Sequence, residues 1–192
     1  PRWQRGRGRT RSTARERLLS SGTTLRGLRV SCPMKTLFLV RHAKASRDDP
    51  SLADRERPLN KRGLNDAPAM AKRLAKQAVD RIVSSPALRA LTTAQLFADQ
   101  LGLARQSIVI DERIYATTAD ALLALIHGLD DGHDCVMLFG HNPEFSELAG
   151  RLAGKGVDMP TCAVARFRFD VASWADVGHG ALERFTLDKP EH

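Results

Sequence analysis

The sequence predicts an α/β protein, a three-layer α/β/α sandwich around a mainly parallel central sheet. Short apolar runs alternate with segments of helical spacing from residue 35 onwards, which is typical of strand–helix repeats. The chain has 192 residues, 42% of them hydrophobic, which suits one domain with a sizeable core. No apolar run reaches the length of about 20 residues that a membrane-spanning helix needs.

Short apolar runs predict four strands, the first of them buried. They are residues 37–40, Arg81–Ser84, 107–110 and 135–139. Two later segments, residues 162–171 and 181–187, alternate between apolar and polar side chains. That alternation favours edge strands, each with one face towards solvent.

Helical spacing of apolar residues predicts four helices between these strands. They are residues 61–78, 86–101, Ala119–His127 and 143–152. Ser85 is expected to cap the second helix, with Pro86 at its first position. Gly102 is expected to end it.

Residues 1–33 differ in composition from the rest of the chain. They contain nine arginines and one acid, Glu16, whereas the remaining residues hold 21 bases and 21 acids. We expect this segment to be disordered. A nucleic-acid-binding arm, a transit peptide and an extension outside the natural protein are alternatives, and Met34 directly before the first strand favours the last. We therefore expect one domain over residues 34–192, with no nucleic-acid or membrane partner.

The cysteines suggest a reducing environment. Cys32, Cys135 and Cys162 are too few and too scattered for a disulfide framework, so we expect a cytoplasmic protein. The sequence has neither a C-x-x-C nor an H-E-x-x-H pattern. We predict no metal and no cofactor, and we expect a monomer.

Basic side chains and histidines follow three of the predicted strands. Arg41 and His42 end the first strand, Arg89 lies on the first turn after the second, and His141 follows the fourth. Ligands of open α/β sheets bind beyond the carboxyl ends of the strands. Guanidinium groups match phosphate oxygens, and a neutral imidazole can attack phosphorus. The pattern therefore predicts a phosphoryl-binding site at this edge.

Four segments carry a resemblance to a known family. Residues 40–43 (Val-Arg-His-Ala) resemble the R-H-G signature of the histidine phosphatase superfamily, and residues 84–94 resemble its S-P-x-x-R-A-x-Q-T-A segment. Residues 140–143 (Gly-His-Asn-Pro) resemble its second-histidine motif. Residues 54–63 resemble the D-x-x-R-P-L-x-x-x-G stretch of the small SixA-type phosphohistidine phosphatases. One motif alone would be weak evidence of a relationship. Four motifs in the family's order are strong evidence.

The resemblance implies a phosphoglycerate mutase-like fold and a metal-independent phosphatase. It implies His42 as the nucleophile and Arg41 and Arg89 as phosphate clamps. It also implies that His141 binds phosphate and stabilises the transition state.

Further residues are candidates for contact with the substrate or for proton transfer. Ser46 and Arg57 are candidate substrate-binding residues. Only Glu112, and then Asp120, follow the third strand where larger members of the superfamily place an acid. Ala43 replaces the usual glycine and could constrain the loop, and Thr92 replaces the usual glutamine.

The scarcity of acids bears on the substrate. When phosphohistidine is cleaved, the leaving group is an imidazole whose conjugate acid has a pKa of about 6.5. The alkoxide that leaves a phosphomonoester is far more basic, so its departure needs a general acid. The sequence therefore favours phosphohistidine on a protein. A phosphatase for small phosphomonoesters and a non-catalytic phosphate- or phosphoprotein-binding module stay open as alternatives. A formal C-x5-R pattern beginning at Cys162 is rejected, because that stretch has no glycine and alternates like a strand.

Overall fold

The computed structural model of the protein describes residues 34–191, so the expectations for residues 1–33 lie outside the described part. Six strands form one sheet in the order β3-β2-β4-β1-β5-β6. The strands are β1 Lys35–Arg41, β2 Arg81–Ser84, β3 Val109–Ile110, β4 Cys135–Gly140, β5 Val164–Phe169 and β6 Leu182–Asp188. The helices are α1 Lys61–Arg73, α2 Leu88–Leu101, α3 Ala119–His127 and α4 Glu144–Ala153.

The sheet is mainly parallel, as the sequence predicts. Strand β4 pairs in parallel with β1 and β2, and β2 pairs in parallel with β3. Strands β5 and β6 extend the sheet beyond β1 by antiparallel pairing. Helices α1 and α2 cover one face, burying Met70 and Phe97, and α3 and α4 cover the other, burying Leu122 and Phe145. This arrangement confirms the three-layer α/β/α sandwich.

Several predicted boundaries are wrong. Helix α2 begins at Leu88 with Ala87 as its N-cap. Ser85 lies too early in the chain to cap it: its hydroxyl accepts from the Ala87 N–H, before the first helical residue, and also contacts His141. Only Val109 and Ile110 of the third predicted strand pair with β2, since residues 105–107 form a 3-10 turn. Helix α1 ends at Arg73, where the next residue turns back with its N–H bonded to carbonyls of the last turn.

Strand β5 is not an edge strand. It lies between β1 and β6 in the sheet, and four of its six residues are buried. Polar side chains at Arg166 and Arg168 produce the alternation that suggested an edge. Strand β6 does form an edge, as predicted, and β3 forms the other.

The parallel neighbours fix where the candidate residues meet. Arg41 at the end of β1 pairs with Gly140 at the end of β4, and Ser84 at the end of β2 pairs with Phe139. The three strands therefore finish at one level of one edge. Over residues 34–191, no helix is both long enough and apolar enough to cross a membrane.

Candidate active site

The backbone of His42 is held on both sides at the carboxyl edge of the sheet. Its N–H donates to the Gly140 carbonyl at 3.0 Å, and its own carbonyl accepts from the Cys162 N–H at 3.1 Å. The chain leaving β1 therefore stays in register with the ends of β4 and β5 for one residue beyond the strand. Side chains at this position have little freedom to move relative to the sheet.

The imidazole of His42 is fixed in one tautomer. Its Nδ1 lies 2.8 Å from the Ala43 carbonyl oxygen, which can only accept, so Nδ1 carries the proton and Nε2 keeps a free lone pair. Arg89 Nε donates towards that Nε2 at 3.3 Å. Burial lowers the pKa of His42 to about 4, opposed by the bond to Ala43 and assisted by the charges of Arg89 and Arg41. The ring is therefore neutral near pH 7.

His141 is held in the opposite tautomer. Its Nδ1 faces Arg89 Nη2 at 3.4 Å, and because a guanidinium can only donate, the proton lies on Nε2. That Nε2 donates to Ser85 Oγ at 2.8 Å. Burial, then the charges of His42 and Arg89, lower the pKa of His141 to about 3. The two imidazole rings lie 5.1 Å apart between centroids, tilted by 55°.

Arg89 is the side chain that links the two histidines. It is 8% exposed, and its Nη1 and Nη2 donate to the backbone carbonyl and the carboxylate of Asp54. Thr93, one helical turn later, donates from Oγ1 to the Arg89 carbonyl at 2.6 Å and accepts from the Ala43 N–H at 3.0 Å. Thr93 therefore fastens α2 to the loop after β1, a role that sequence reasoning missed although the residue lies within the motif at 84–94.

Arg41 enters the site from the end of β1. Its Nη1 donates to the Met159 carbonyl at 2.8 Å, while its Nε is buried without a hydrogen-bond partner among the described residues. Burial lowers the pKa of Arg41, and nearby Asp158 opposes that effect. A buried donor without a partner is rare in proteins and is suited to an anionic ligand.

Arg41, His42 and Arg89 face an open pocket of about 170 Å³, whereas His141 is not among its lining residues. The pocket is lined by Arg41, His42, Lys44, Ala45, Arg47, Arg57, Arg89 and Thr161. Five of the eight lining residues carry a positive charge and none carries a negative charge. The sequence analysis did not single out Lys44 or Arg47, although both follow His42 closely in the chain.

The two further substrate-binding candidates differ in position. Arg57 lines the pocket, with Nε and Nη2 donating to the Ser46 carbonyl and Nη1 to Asp54. The Ser46 hydroxyl instead donates to Asp48 at 2.7 Å and does not line the pocket. The structure thus places Arg57, but not the Ser46 side chain, beside the histidines.

Neither acid considered from the sequence reaches the histidines. Glu112 is exposed and accepts from Arg55 at 2.6 Å, and Asp120 is exposed and pairs with Arg151. The carboxylate that contacts Arg89 is Asp54. Burial raises its pKa, but hydrogen bonds from Arg89, Tyr115 and Arg57 outweigh burial, so the pKa of Asp54 lies below its ordinary value.

The departure at Ala43 is accommodated without strain. Ala43 is fully buried, and the non-glycine residues with positive φ between 34 and 191 are Ala116 and Cys162. Alanine therefore replaces glycine where no left-handed backbone is needed. Burial raises the pKa of the Cys162 thiol to about 12, which agrees with rejecting a cysteine nucleophile. In the part of the chain that the structure describes, no group of three or more His, Cys, Asp or Glu could hold a metal ion.

A family model, together with relatives that cover most of the chain, gives the relationship. The model of the histidine phosphatase superfamily (branch 1) matches residues 37–115, which include Arg41, His42 and Arg89. The chain belongs to the histidine phosphatase superfamily. His141 lies beyond the matched residues, so its assignment to the site depends on the geometry at the end of β4.

Relatives in sequence and structure agree with this family. A protein of Mycobacterium tuberculosis is 32% identical over 155 residues, covering 73% of this chain and 93% of that protein. A chloroplastic protein of Arabidopsis thaliana is 30% identical over 152 residues, covering 74% and 70%. SixA from Agrobacterium tumefaciens is 29% identical with a TM-score of 0.63, covering 69% of this chain and 90% of that one.

More distant structures share the fold. The protein histidine phosphatase SixA, complexed with tungstate, has a TM-score of 0.64 at 24% identity, covering 80% of this chain and 94% of that one. Mycobacterial glucosyl-3-phosphoglycerate phosphatase has a TM-score of 0.55 at 18% identity, covering 81% and 97%. Membership in the superfamily and the SixA-like structures support a phosphatase that acts on phosphorylated substrates.

Proposed function

We propose that this protein is a metal-independent phosphatase that hydrolyses phosphohistidine on a protein substrate through a covalent phosphohistidine intermediate on His42. The observation that carries the proposal is the fixed tautomer of His42. Its Nδ1 donates to the Ala43 carbonyl, and its unprotonated Nε2 accepts from Arg89 Nε among basic side chains. An imidazole in this state can attack phosphorus without first losing a proton.

In the first step, the phosphoryl group binds between the guanidinium groups of Arg41 and Arg89. The lone pair on His42 Nε2 forms a bond to phosphorus while the P–N bond to the substrate imidazole breaks. That bond's electron pair stays on the departing ring nitrogen, so the substrate leaves as a neutral histidine that keeps the proton on its other nitrogen. Arg89 and His141 are placed to stabilise the negative charge on the phosphoryl oxygens.

In the second step, water attacks the phosphorus bound to His42. The P–Nε2 bond breaks and its electron pair returns to Nε2. The water oxygen and one of its protons stay on the phosphate, and the other proton is released to solvent, so the product is HPO₄²⁻. The hydrogen bond from Nδ1 to Ala43 persists through both steps, so His42 returns to its starting tautomer. No step requires a metal ion.

The positions of the acids around the site support phosphohistidine as the substrate class. Glu112 and Asp120 are engaged with arginines at the surface, and the lowered pKa of Asp54 keeps that carboxyl ionised and unable to donate a proton. A histidine leaving group needs little protonation, whereas an alkoxide would need a general acid worth about 10²- to 10⁴-fold in rate. The fold likeness to the protein histidine phosphatase SixA also supports phosphohistidine as the substrate.

A phosphatase for small phosphomonoesters is the second candidate. The open basic pocket and the fold shared with glucosyl-3-phosphoglycerate phosphatase favour it. Under this alternative, Lys44 and Arg47 would contact further anionic groups of the small substrate.

A substrate comparison separates the candidates. The purified chain is given a phosphohistidine protein, phosphoramidate and a panel of sugar phosphates, each with and without EDTA. We expect kcat/KM for the phosphohistidine protein to exceed that for the sugar phosphates by about 10²-fold or more, unchanged by EDTA. Faster turnover of a sugar phosphate would favour the second candidate, and strict dependence on Mg²⁺ or Zn²⁺ would contradict the mechanism. Phosphate binding without turnover would indicate a binding module.

A further inference from the structure

A short 3-10 turn, Asp54–Glu56, brings the carboxylate of Asp54 into contact with Arg89. Asp54 receives hydrogen bonds from Arg89 through two separate acceptors, its backbone carbonyl and its Oδ2. The residue belongs to the 54–63 motif, which the proposed chemistry does not otherwise use. The contacts of Asp54 and of the residues that follow it indicate that the motif orients Arg89 and the loop after His42.

A guanidinium group has two edges that can bind an oxyanion bidentately, and Asp54 occupies one of them. The end-on edge of Arg89, Nη1 and Nη2, donates to Asp54, with 2.8 Å between Nη2 and Oδ2. The side-on edge, Nε and Nη2, faces His42 Nε2 at 3.3 Å and His141 Nδ1 at 3.4 Å. The edge that Asp54 does not bind is therefore the one that points between the two imidazoles. We propose that Asp54 is a positioning residue that presents this edge of Arg89 to the phosphoryl group.

Asp54 is itself held from two sides. Tyr115 donates from its hydroxyl to Oδ2 at 3.1 Å, and Arg57 donates from Nη1 to Oδ1 at 3.1 Å. The Tyr115 ring packs edge-on against His141, with 5.7 Å between ring centroids and an interplanar angle of 80°. The Asp54 carboxylate, which anchors Arg89, is thus fixed relative to His141 as well as to His42.

The rest of the 54–63 motif attaches this anchor to the loop that follows His42. The Pro58 carbonyl accepts from the Ser46 N–H at 2.8 Å, and the Asn60 N–H donates to the Lys44 carbonyl at 2.9 Å. A Cβ at Gly63 would lie 2.3 Å from that Lys44 carbonyl oxygen, so only glycine permits this approach. One continuous segment therefore sets both the loop after the nucleophile and the orientation of Arg89.

Positioning and simple electrostatics predict opposite effects when the carboxylate is removed. Asp54 is negatively charged beside an anion-binding pocket, so through-space repulsion alone would make phosphate bind more tightly after its removal. Loss of the Oδ2 contact would instead leave Arg89 held on this edge by the residue 54 carbonyl alone, so its side chain could rotate and both phosphate binding and turnover would weaken. The sign of the change in phosphate affinity decides between them.

The experiment compares Asp54→Ala and Asp54→Asn with Glu56→Ala. Glu56 lies in the same turn with the same charge, and its side chain makes no hydrogen bond or ion pair within residues 34–191. We expect Asp54→Ala to lower kcat/KM and weaken inorganic phosphate binding about 10- to 100-fold. Asp54→Asn, which keeps one acceptor oxygen, should recover part of the loss, and Glu56→Ala should match the wild type. Phosphate binding equal to or tighter than wild type in Asp54→Ala would overturn the proposal.

A double-mutant cycle with Tyr115→Phe checks that the effect passes through Asp54. Tyr115→Phe keeps the ring against His141 but removes the hydroxyl donor to Asp54. We expect Tyr115→Phe to lower kcat/KM a few-fold in the wild-type chain and to have no further effect in Asp54→Ala. Additive losses would contradict the inference. The inference concerns the site of the proposed function, but the phosphate-binding measurement can fail independently, because it needs no turnover.

Discussion

The ends of strands β1 and β4 carry the same residue type in different states. At the end of β1, the backbone carbonyl of Ala43 takes the proton on Nδ1 of His42, which leaves Nε2 free. At the end of β4, the hydroxyl of Ser85 accepts from Nε2 of His141, which leaves Nδ1 towards Arg89. Both rings are partly buried, and both pKa values are lowered well below 6.5.

The difference between the two strand ends therefore lies in the tautomer rather than in the charge. The partner of the protonated nitrogen decides which nitrogen faces the pocket and in which direction. Under the proposed mechanism, His42 forms and breaks a bond to phosphorus, whereas His141 only stabilises the phosphoryl oxygens. Each prediction that follows tests whether the two histidines differ in this way.

Alanine substitution should separate the histidines most strongly. His42→Ala removes the nucleophile, so we expect kcat to fall by about 10⁴-fold or more while phosphate binding persists through Arg41 and Arg89. His141→Ala removes one stabilising contact, and we expect a smaller loss of about 10²- to 10³-fold. Steady-state kinetics and calorimetric titration with inorganic phosphate measure both. Equal losses in the two variants would remove the proposed distinction.

Ser85→Ala should act mainly on the β4 side, where its hydroxyl contacts His141, although that hydroxyl also accepts from the Ala87 N–H at 3.3 Å. The substitution removes the acceptor that fixes the Nε2 proton of His141, so the ring can adopt the wrong tautomer, and we expect kcat to fall about 10-fold. Ser84→Ala is the matched control, because the Ser84 hydroxyl is also buried but donates to the Ser85 carbonyl and touches neither histidine. If Ser84→Ala and Ser85→Ala lose the same activity, general packing would explain the effect.

The pH dependence should be the smallest effect. His42 must be unprotonated to attack, and its pKa is lowered to about 4, so the reactive fraction stays close to one as pH falls from 7 to 5. His141, with a pKa lowered to about 3, does not titrate in that range either. We therefore expect kcat/KM, corrected for ionisation of the substrate itself, to be flat over this range and to fall only near pH 4. An acidic limb near pH 6.5 would contradict the burial of the two rings.

Much of the fold was predictable from the sequence, because buried parallel strands read as continuous apolar runs. Strand β2 and helix α3 have the predicted bounds, and β1 and β4 extend the predicted runs by one or two residues. The errors arose where tertiary contacts override local signals. Ser85 looks like a helix cap but bonds to His141, and β5 alternates like an edge strand but lies inside the sheet.

The candidate site was predictable in part. Parallel strands bring their carboxyl ends to one edge, so Arg41, His42, Arg89 and His141 could be grouped from the order of strands and helices along the chain. The contacts of Asp54 and Thr93 could not be derived, because they depend on side chains that join separate elements across the site. The position of the Ser46 hydroxyl could not be derived for the same reason: it donates to Asp48, and the Ser46 backbone carbonyl accepts from Arg57.

Trapping the phosphorylated enzyme tests the central claim most directly. The chain is mixed with a phosphohistidine protein, quenched in alkali within milliseconds, digested, and the phosphorylated peptide is mapped by mass spectrometry, with ³¹P NMR to identify the ring nitrogen. The account predicts acid-labile, alkali-stable phosphate on Nε2 of His42, and none in His42→Ala. Phosphate on His141, on Cys162 or on an aspartate would contradict it.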